Sequence, residues 1–317
     1  MKILFVENFN LNTDNPMSTL YPSRCQKIKE NINFDTFDIG NSDQSYDKLE
    51  QIYNTVLFGA RSLYLYKHYK SQERNILKNK LDNLLKIKNK YFLIQDMHPK
   101  TYGSLQNLCE FLEMNRINII FTFYQNTEAN VIRKLTPNCK YYHLPLHIDD
   151  NIFNYKNIEK KYDILLYGSI HPRHYPFRKR LFDIITKNNS KFKIGIIDKP
   201  ESFDPTKCEH GLAEIINQSK ITIATKSRYN YFVAKYLEIV FCKSLVAGNM
   251  ATDGKNIFEN NFLELNEQMT DDEIVNKLEY CLKNYSDYVP KINTICDKLN
   301  NYNINNYVNK LLNMLKE

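Results

Sequence analysis

The stretch Tyr162-Asp163-Ile164-Leu165-Leu166-Tyr167-Gly168-Ser169-Ile170-His171-Pro172-Arg173-His174-Tyr175-Pro176-Phe177-Arg178-Lys179-Arg180 decides the fold. Its first six residues form a short apolar and aromatic run that reads as a buried β-strand. Gly168 closes the strand, two prolines mark a turn, and a basic amphipathic helix begins at Phe177. Strand, turn and helix in that order make the unit from which parallel α/β sheets are assembled. The same pieces also offer chemistry. Glycine lets the backbone approach a ligand closely, and a helix N-terminus presents free N–H groups and partial positive charge to an anion. Arg173, Arg178 and Arg180 add guanidinium donors suited to phosphate oxygens. The residues are also those of an ordinary strand–loop–helix connection with a solvated basic face, and one glycine is no Walker A loop.

The alternation continues on both sides. Upstream, strands are expected at Lys2–Glu7, Phe34–Ile39, Thr55–Phe58, Tyr91–Gln95, Ile117–Phe123 and Tyr141–Leu144. Amphipathic helices are expected over Ser71–Lys88 and Ser104–Asn115. Downstream, helices are expected at Phe177–Lys187, Gly211–Gln218, Phe232–Cys242, Asp271–Asn284 and Ile292–Leu315. Strands at Phe192–Ile197, Ile221–Ala224 and Ser244–Ala247 alternate with them. The polar stretch Asp149–Lys161 separates a domain over 1–150 from one over 151–317. Two open α/β halves in succession place a ligand cleft at the carboxyl ends of their strands.

Composition agrees. A chain of 317 residues suits about two domains at roughly 150 residues each. With 43% hydrophobic and 25% charged residues it is neither a polyelectrolyte nor a disordered tail, and 8 glycines with 10 prolines exclude a fibrous chain. No run approaches the roughly 18 apolar residues of a membrane span, and the run at Met1–Glu7 is too short for a secretory leader. Cys25, Cys109, Cys139, Cys208, Cys242, Cys281 and Cys296 are scattered with no Cys-x-x-Cys pair. That pattern predicts reduced thiols, no zinc site and a soluble, cytoplasmic protein. The net charge of +7 is modest and mixed in sign, and the basic cluster at 173–180 is short, so no nucleic-acid partner is expected.

A second informative segment runs from Ser227 to Gly248. It places Lys235 and Glu238 three residues apart on a helix, hence on one face. A carboxylate there can bind the two hydroxyls of a ribose with the lysine near its phosphates; the alternative is a surface ion pair worth little.

Four landmarks carry a resemblance to the nucleotide-binding half of GT-B glycosyltransferases, in the group 1 (family 4-like) and spore-maturation CgeB-like branch. His143-Leu144-Pro145-Leu146-His147-Ile148-Asp149, with Phe153 after it, is similar to the family's link between domains. Gly168 followed by Tyr175-Pro176-Phe177-Arg178 resembles the opening of its second domain. Ile215-Ile216-Asn217-Gln218-Ser219-Lys220-Ile221 resembles the helix end before a strand. Lys235-Tyr236-Leu237-Glu238 through Leu245-Val246-Ala247 resembles the helix and strand that follow. The match covers about the last two-thirds of the chain; the first 90 residues share only the strand rhythm.

The resemblance implies two Rossmann-like α/β/α domains facing across a cleft, with a final helix over about 292–317 crossing back to the first. It implies a metal-independent glycosyltransferase that moves a sugar from a UDP- or GDP-linked donor to a hydroxyl of a glycan, protein or small molecule, with retention of configuration. No cofactor beyond the donor is implied, and the absence of any Asp-x-Asp triplet disfavours the metal-using GT-A fold. Donor-binding residues would be Gly168, Ser169, Arg173, Arg178, Lys226, Asn230, Lys235 and Glu238. His98, in the loop after a first-domain strand, resembles a family histidine that touches the donor sugar; with Asp96 it is a candidate base. Otherwise His98 caps the following helix. Asp14, Arg24 and Arg61 stand near strand ends, and His210 and Asp253 are expected in loops at the cleft rim. Asn230 stands eight residues before Glu238, where retaining members carry a second Glu. That departure keeps open a non-catalytic protein that binds nucleotide sugars or glycans.

Overall fold

The computed structural model describes residues 2–7, 30, 34–38, 47–59, 62, 79–94, 105–125, 128–197 and 205–316. The chain divides into two units, Met1–Pro145 with Tyr307–Glu317, and Leu146–Asn306.

In the first unit the apolar runs become strands β1 (Ile3–Glu7), β2 (Asp35–Asp38), β3 (Thr55–Phe58), β4 (Asn89–Ile94), β5 (Ile119–Thr122) and β6 (Lys140–His143). They form one sheet in the order β2-β1-β3-β4-β5-β6. Every neighbouring pair is parallel. Parallel strands are covered on both faces, which is why Val56-Leu57-Phe58 and Phe92-Leu93-Ile94 are apolar without alternation and fully buried. Helices α1 (Leu49–Ile52), α2 (Leu105–Met114) and α3 (Glu128–Leu135) lie between them, and Leu108 and Leu112 are the buried i, i+4 pair of α2. The helix expected to reach Lys88 ends at residue 84. A tighter turn follows, in which the Ile87 N–H donates to the Leu84 carbonyl at 3.2 Å and Ile87 is buried just ahead of β4.

The second unit carries β7 (Tyr162–Tyr167), β8 (Ile194–Ile197), β9 (Ser219–Ile223), β10 (Leu245–Gly248) and β11 (Leu263–Glu264). Their order is β11-β10-β9-β7-β8. All pairs are again parallel. Its helices are α4 (Pro176–Lys187), α5 (Pro205–Asn217), α6 (Lys235–Phe241), α7 (Thr252–Phe258), α8 (Asp271–Lys283) and α9 (Val289–Leu299), and a last helix, α10 (Ile304–Lys316), belongs to the first unit from Tyr307 onward. Ile164, Leu166, Ile221 and Ile223 from the sheet pack with Leu181 of α4 and Ile274 of α8 in one core. The order of strands reverses at β7, which has β8 on one side and β9 on the other. The space beyond the carboxyl ends at such a reversal is where open α/β sheets take ligands. Among the described residues no helix is long and apolar enough to cross a membrane.

Three further helix boundaries differ from expectation. The helix expected over Ile292–Leu315, and drawn to 317, is two helices. Asn303 Oδ1 accepts the Asn306 N–H at 2.9 Å and caps α10, while the Tyr302 carbonyl takes the Ile148 N–H at 2.9 Å. The helix expected from Phe232 begins only at Lys235, because Phe232 leaves the helical path to stack on Tyr236, with centroids 5.1 Å apart. Finally, α5 starts six residues before Gly211, with Pro205 as its first residue.

The third landmark turns out to be a fastening. Asn217 is fully buried; its Nδ2 donates to the Asn154 carbonyl at 2.9 Å and its Oδ1 accepts the Lys156 N–H at 2.7 Å. It thereby ties the segment ahead of β7 to the end of α5.

Two glycines give opposite expectations. Gly248 has φ +145, and a Cβ there would overlap the Ala224 carbonyl, whereas Gly211 lies exposed in α5 with nothing near such a Cβ. Gly248→Ala should cost about 3 kcal/mol or more. Gly211→Ala should stabilise by about 0.5–1 kcal/mol. Urea midpoints of the two variants against the parent check both signs.

Candidate functional site

The carboxyl end of β7 is Tyr167, and the chain then turns at Gly168 with φ +82, a left-handed conformation that favours glycine. The opening it leaves is filled from α6, the third helix after the turn: a Cβ on Gly168 would sit 2.8 Å from Lys235 Nζ. Lys235 is the first residue of α6 and is only 8% exposed. Its Nζ donates to the Tyr167 carbonyl and lies 3.5 Å from the centre of the Tyr167 ring. One turn further along α6, Glu238 Oε2 accepts the Tyr167 phenol O–H at 2.8 Å.

Arg178, near the start of α4, is buried and joins the two strand-end loops. Its Nε donates to Thr225 Oγ1 at 3.2 Å, its Nη2 to the Thr225 carbonyl at 3.1 Å and its Nη1 to the Ser169 carbonyl at 3.1 Å. The guanidinium also stacks on the Tyr175 ring at 3.8 Å.

Electrostatics follow from this burial. Desolvation pulls the Lys235 ammonium well below its ordinary pKa, the neighbouring Arg178 pulls the same way, and Glu238 opposes them. Burial lowers Arg178 as well. Burial, reinforced by the Glu238 charge, drives the Tyr167 phenol well above its ordinary value, so it stays a donor. Among the described residues, two basic side chains, Lys235 and Arg178, thus stand beside one carboxylate, Glu238, in this cluster. An anion bound beside them would favour the protonated ammonium of Lys235 and complete the pairing.

Of the residues expected to bind a donor, Gly168, Ser169, Arg178, Lys235 and Glu238 are brought together. The others stand around them in separate roles. Arg173 is exposed, and its carbonyl accepts Arg228 Nη1 at 3.2 Å, while the Arg228 N–H reaches the His174 carbonyl at 2.9 Å. The backbone N–H of Lys226 donates to Asn249 Oδ1 at 3.1 Å. The Asn230 side chain is engaged with Thr252, donating to its Oγ1 at 2.7 Å and accepting its N–H at 3.3 Å, so it caps α7. Arg180 takes no part in the cluster: it donates to Asp271 Oδ1 at 2.6 Å and to the carbonyls of Glu267 and Met269. His210 and Asp253, expected in loops, lie in α5 and α7. His98 and Asp96 lie outside the described residues, as do Asp14, Arg24 and Arg61.

Sequence reasoning missed Tyr167, Thr225 and Asn249. Tyr167 carried a signal, an aromatic at the last strand position before a positive-φ glycine. Asn249 carries a structural load: it accepts the Tyr236 O–H on its carbonyl at 2.7 Å and donates to Glu267 Oε1 at 2.6 Å. Nothing in the sequence distinguishes Thr225.

No protein-family model matches the chain, and no curated protein matches it. Solved structures do. HepE from Anabaena in complex with UDP and glucose superposes with a TM-score of 0.61 at 10% identity, covering 100% of this chain and 99% of that one. Sucrose-phosphate synthase from Thermosynechococcus elongatus gives 0.63 at 10% identity, covering 99% and 98%. An alpha-glucosyltransferase in complex with UDP gives 0.66 at 11% identity over 100% of both chains. The chain thus has the fold of GT-B glycosyltransferases, with two parallel-sheet α/β units.

Replacing a buried charge by an apolar chain of similar length removes its desolvation cost. Lys235→Met should therefore stabilise the ligand-free protein by about 1 kcal/mol or more. Lys235 has a folded pKa below its unfolded one, so between the two values the unfolded chain holds the extra proton and stability rises with pH. Urea midpoints from neutral to alkaline pH should show that rise in the parent and a smaller one in Lys235→Met.

Proposed function

We propose that the chain is a glycosyltransferase that binds a nucleoside-diphosphate sugar at the carboxyl end of β7 and transfers the sugar to an acceptor hydroxyl without a metal ion. The observation that carries this reading is the pair of basic side chains, Lys235 and Arg178, buried beside Gly168, with Glu238 one helical turn away. The diphosphate takes the cations and the backbone at Gly168, while the ribose diol takes the carboxylate. As the bond from the anomeric carbon to the diphosphate breaks, the departing oxygen gains negative charge, which Lys235 and Arg178 stabilise from fixed positions. The new bond forms to the acceptor oxygen.

In a front-face reaction the acceptor proton passes to the departing phosphate oxygen, and the configuration is retained without a protein nucleophile. An inverting reaction needs a base, for which His98 and Asp96 are the candidates. UDP in the HepE and alpha-glucosyltransferase complexes supports uridine diphosphate as the nucleotide, with GDP the alternative. The landmarks quoted above support the group 1 and CgeB-like placement within the fold. An acceptor that is a glycan, protein or small molecule fits the modest net charge of +7 and the short basic run at 173–180. The described cysteines Cys109, Cys139, Cys242, Cys281 and Cys296 are free thiols, in keeping with a cytoplasmic protein.

One observation favours a second reading. The residue standing where retaining members carry a sugar-side Glu is Asn230, and its amide is engaged with Thr252. A protein that binds nucleotide sugars without turning them over fits that arrangement.

Thermal shift and turnover separate the readings. At about 100 times its Kd, UDP should add about 2.7 kcal/mol to stability. Glu238→Ala and Lys235→Ala should each weaken UDP by at least about tenfold, the loss of one charge-assisted contact. Release of UDP from UDP-glucose supports the transferase; tight UDP binding with no release across an acceptor panel supports the binding protein. A melting curve unmoved by UDP and GDP rejects both.

A further inference from the structure

Tyr167 touches both halves of the buried cluster. Its O–H is bonded to Glu238 Oε2 at 2.8 Å, its ring face carries the Lys235 ammonium at 3.5 Å, and its carbonyl accepts from the same Nζ. The position itself is rigid. Tyr167 ends β7, a central strand paired on both sides, and is 9% exposed. Gly168 follows it immediately, and a Cβ there would lie 2.8 Å from Lys235 Nζ.

Each contact removes one freedom that a ligand would otherwise have to freeze. Pinning Oε2 fixes the rotation of the Glu238 carboxylate and leaves Oε1 for another donor. The ammonium, held between the ring and the carbonyl, keeps its remaining N–H groups for whatever lies beyond Gly168. Pre-setting groups in this way lowers the entropy cost of binding.

We infer that Tyr167 is a positioning residue that sets Lys235 and Glu238 for the two ends of one ligand, a phosphate at the lysine and a vicinal diol at the carboxylate. The inference rests on the nucleotide-sugar reading above and adds to it the residue that aligns the site. It separates two contributions that a single substitution can split. Tyr167→Phe keeps the ring beneath Lys235 and deletes only the O–H that orients Glu238. Tyr167→Leu deletes both.

Calorimetric titration with UDP, 2′-deoxy-UDP and inorganic pyrophosphate, together with ligand-free melting curves, tests this on the full chain. Tyr167→Phe should weaken UDP about tenfold, the value of one hydrogen bond to a charged group. It should leave pyrophosphate within about twofold, since the cation half is untouched. 2′-Deoxy-UDP, with half the diol missing, should lose less than UDP does. Tyr167→Leu should weaken pyrophosphate as well. If the parent binds UDP and Tyr167→Phe binds it equally well, the positioning role falls and the donor reading stands. Equal losses for UDP and pyrophosphate in Tyr167→Phe also overturn it, as does a variant that no longer melts cooperatively, because Tyr167 would then serve the fold alone. A parent that binds neither UDP nor GDP removes the donor reading and this inference with it.

Discussion

Two cations held out of water against one carboxylate set the terms for the second unit. An ammonium and a guanidinium in such surroundings are costly unless their hydrogen bonds are made. Arg178 meets that demand with three bonds to Ser169 and Thr225 and a stack on Tyr175. Lys235 meets it less fully, with a carbonyl and an aromatic face. The difference separates their roles. Arg178 braces the ends of β7 and β9 and offers its charge from a fixed position, while Lys235 keeps N–H donors for a ligand.

Holding Lys235 in place takes an aromatic framework behind it. Phe232 stacks on Tyr236, and both meet Phe258 edge-on at about 6 Å. Gly254 of α7 leaves room for the Phe232 ring, since a Cβ there would lie 2.7 Å from it. Asn230 closes the same assembly by capping α7. The loop from 227 to 234 is therefore tied to α7, and α6 starts where that packing lets it start. Tyr236 extends the tie through Asn249 to Glu267.

Several of the residues most visible in the sequence turn out to be fastenings. Arg180 belongs to the same basic run as Arg178, yet it clamps α4 to the start of α8. Asn217 holds the segment ahead of β7. Arg178 and Arg180 differ by two positions on a helix, and two positions turn a side chain by about 200°, so one faces the strand ends and the other faces α8. Spacing announces which residues share a face; it does not say what that face meets.

The strands and most helices were legible because buried parallel strands must be continuous apolar runs, and helices between them must repeat at 3.6 residues. Runs such as Tyr162–Tyr167 and Thr55–Phe58 appear within the bounds read from the sequence. Boundaries set by long-range contacts were not legible: the break at Asn300–Asn303 depends on Ile148, and the start of α6 on Phe258. In the site, the glycine turn and the Lys235–Glu238 face could be read from residue order alone, because both are local geometry. Long-range packing selects Arg178 and not Arg180 to join them, and it makes Asn230 the cap of a helix. It also places Tyr167 between the lysine and the glutamate. Those facts depend on which strand ends lie side by side in the sheet, and strand order is set by packing across more than sixty residues of chain.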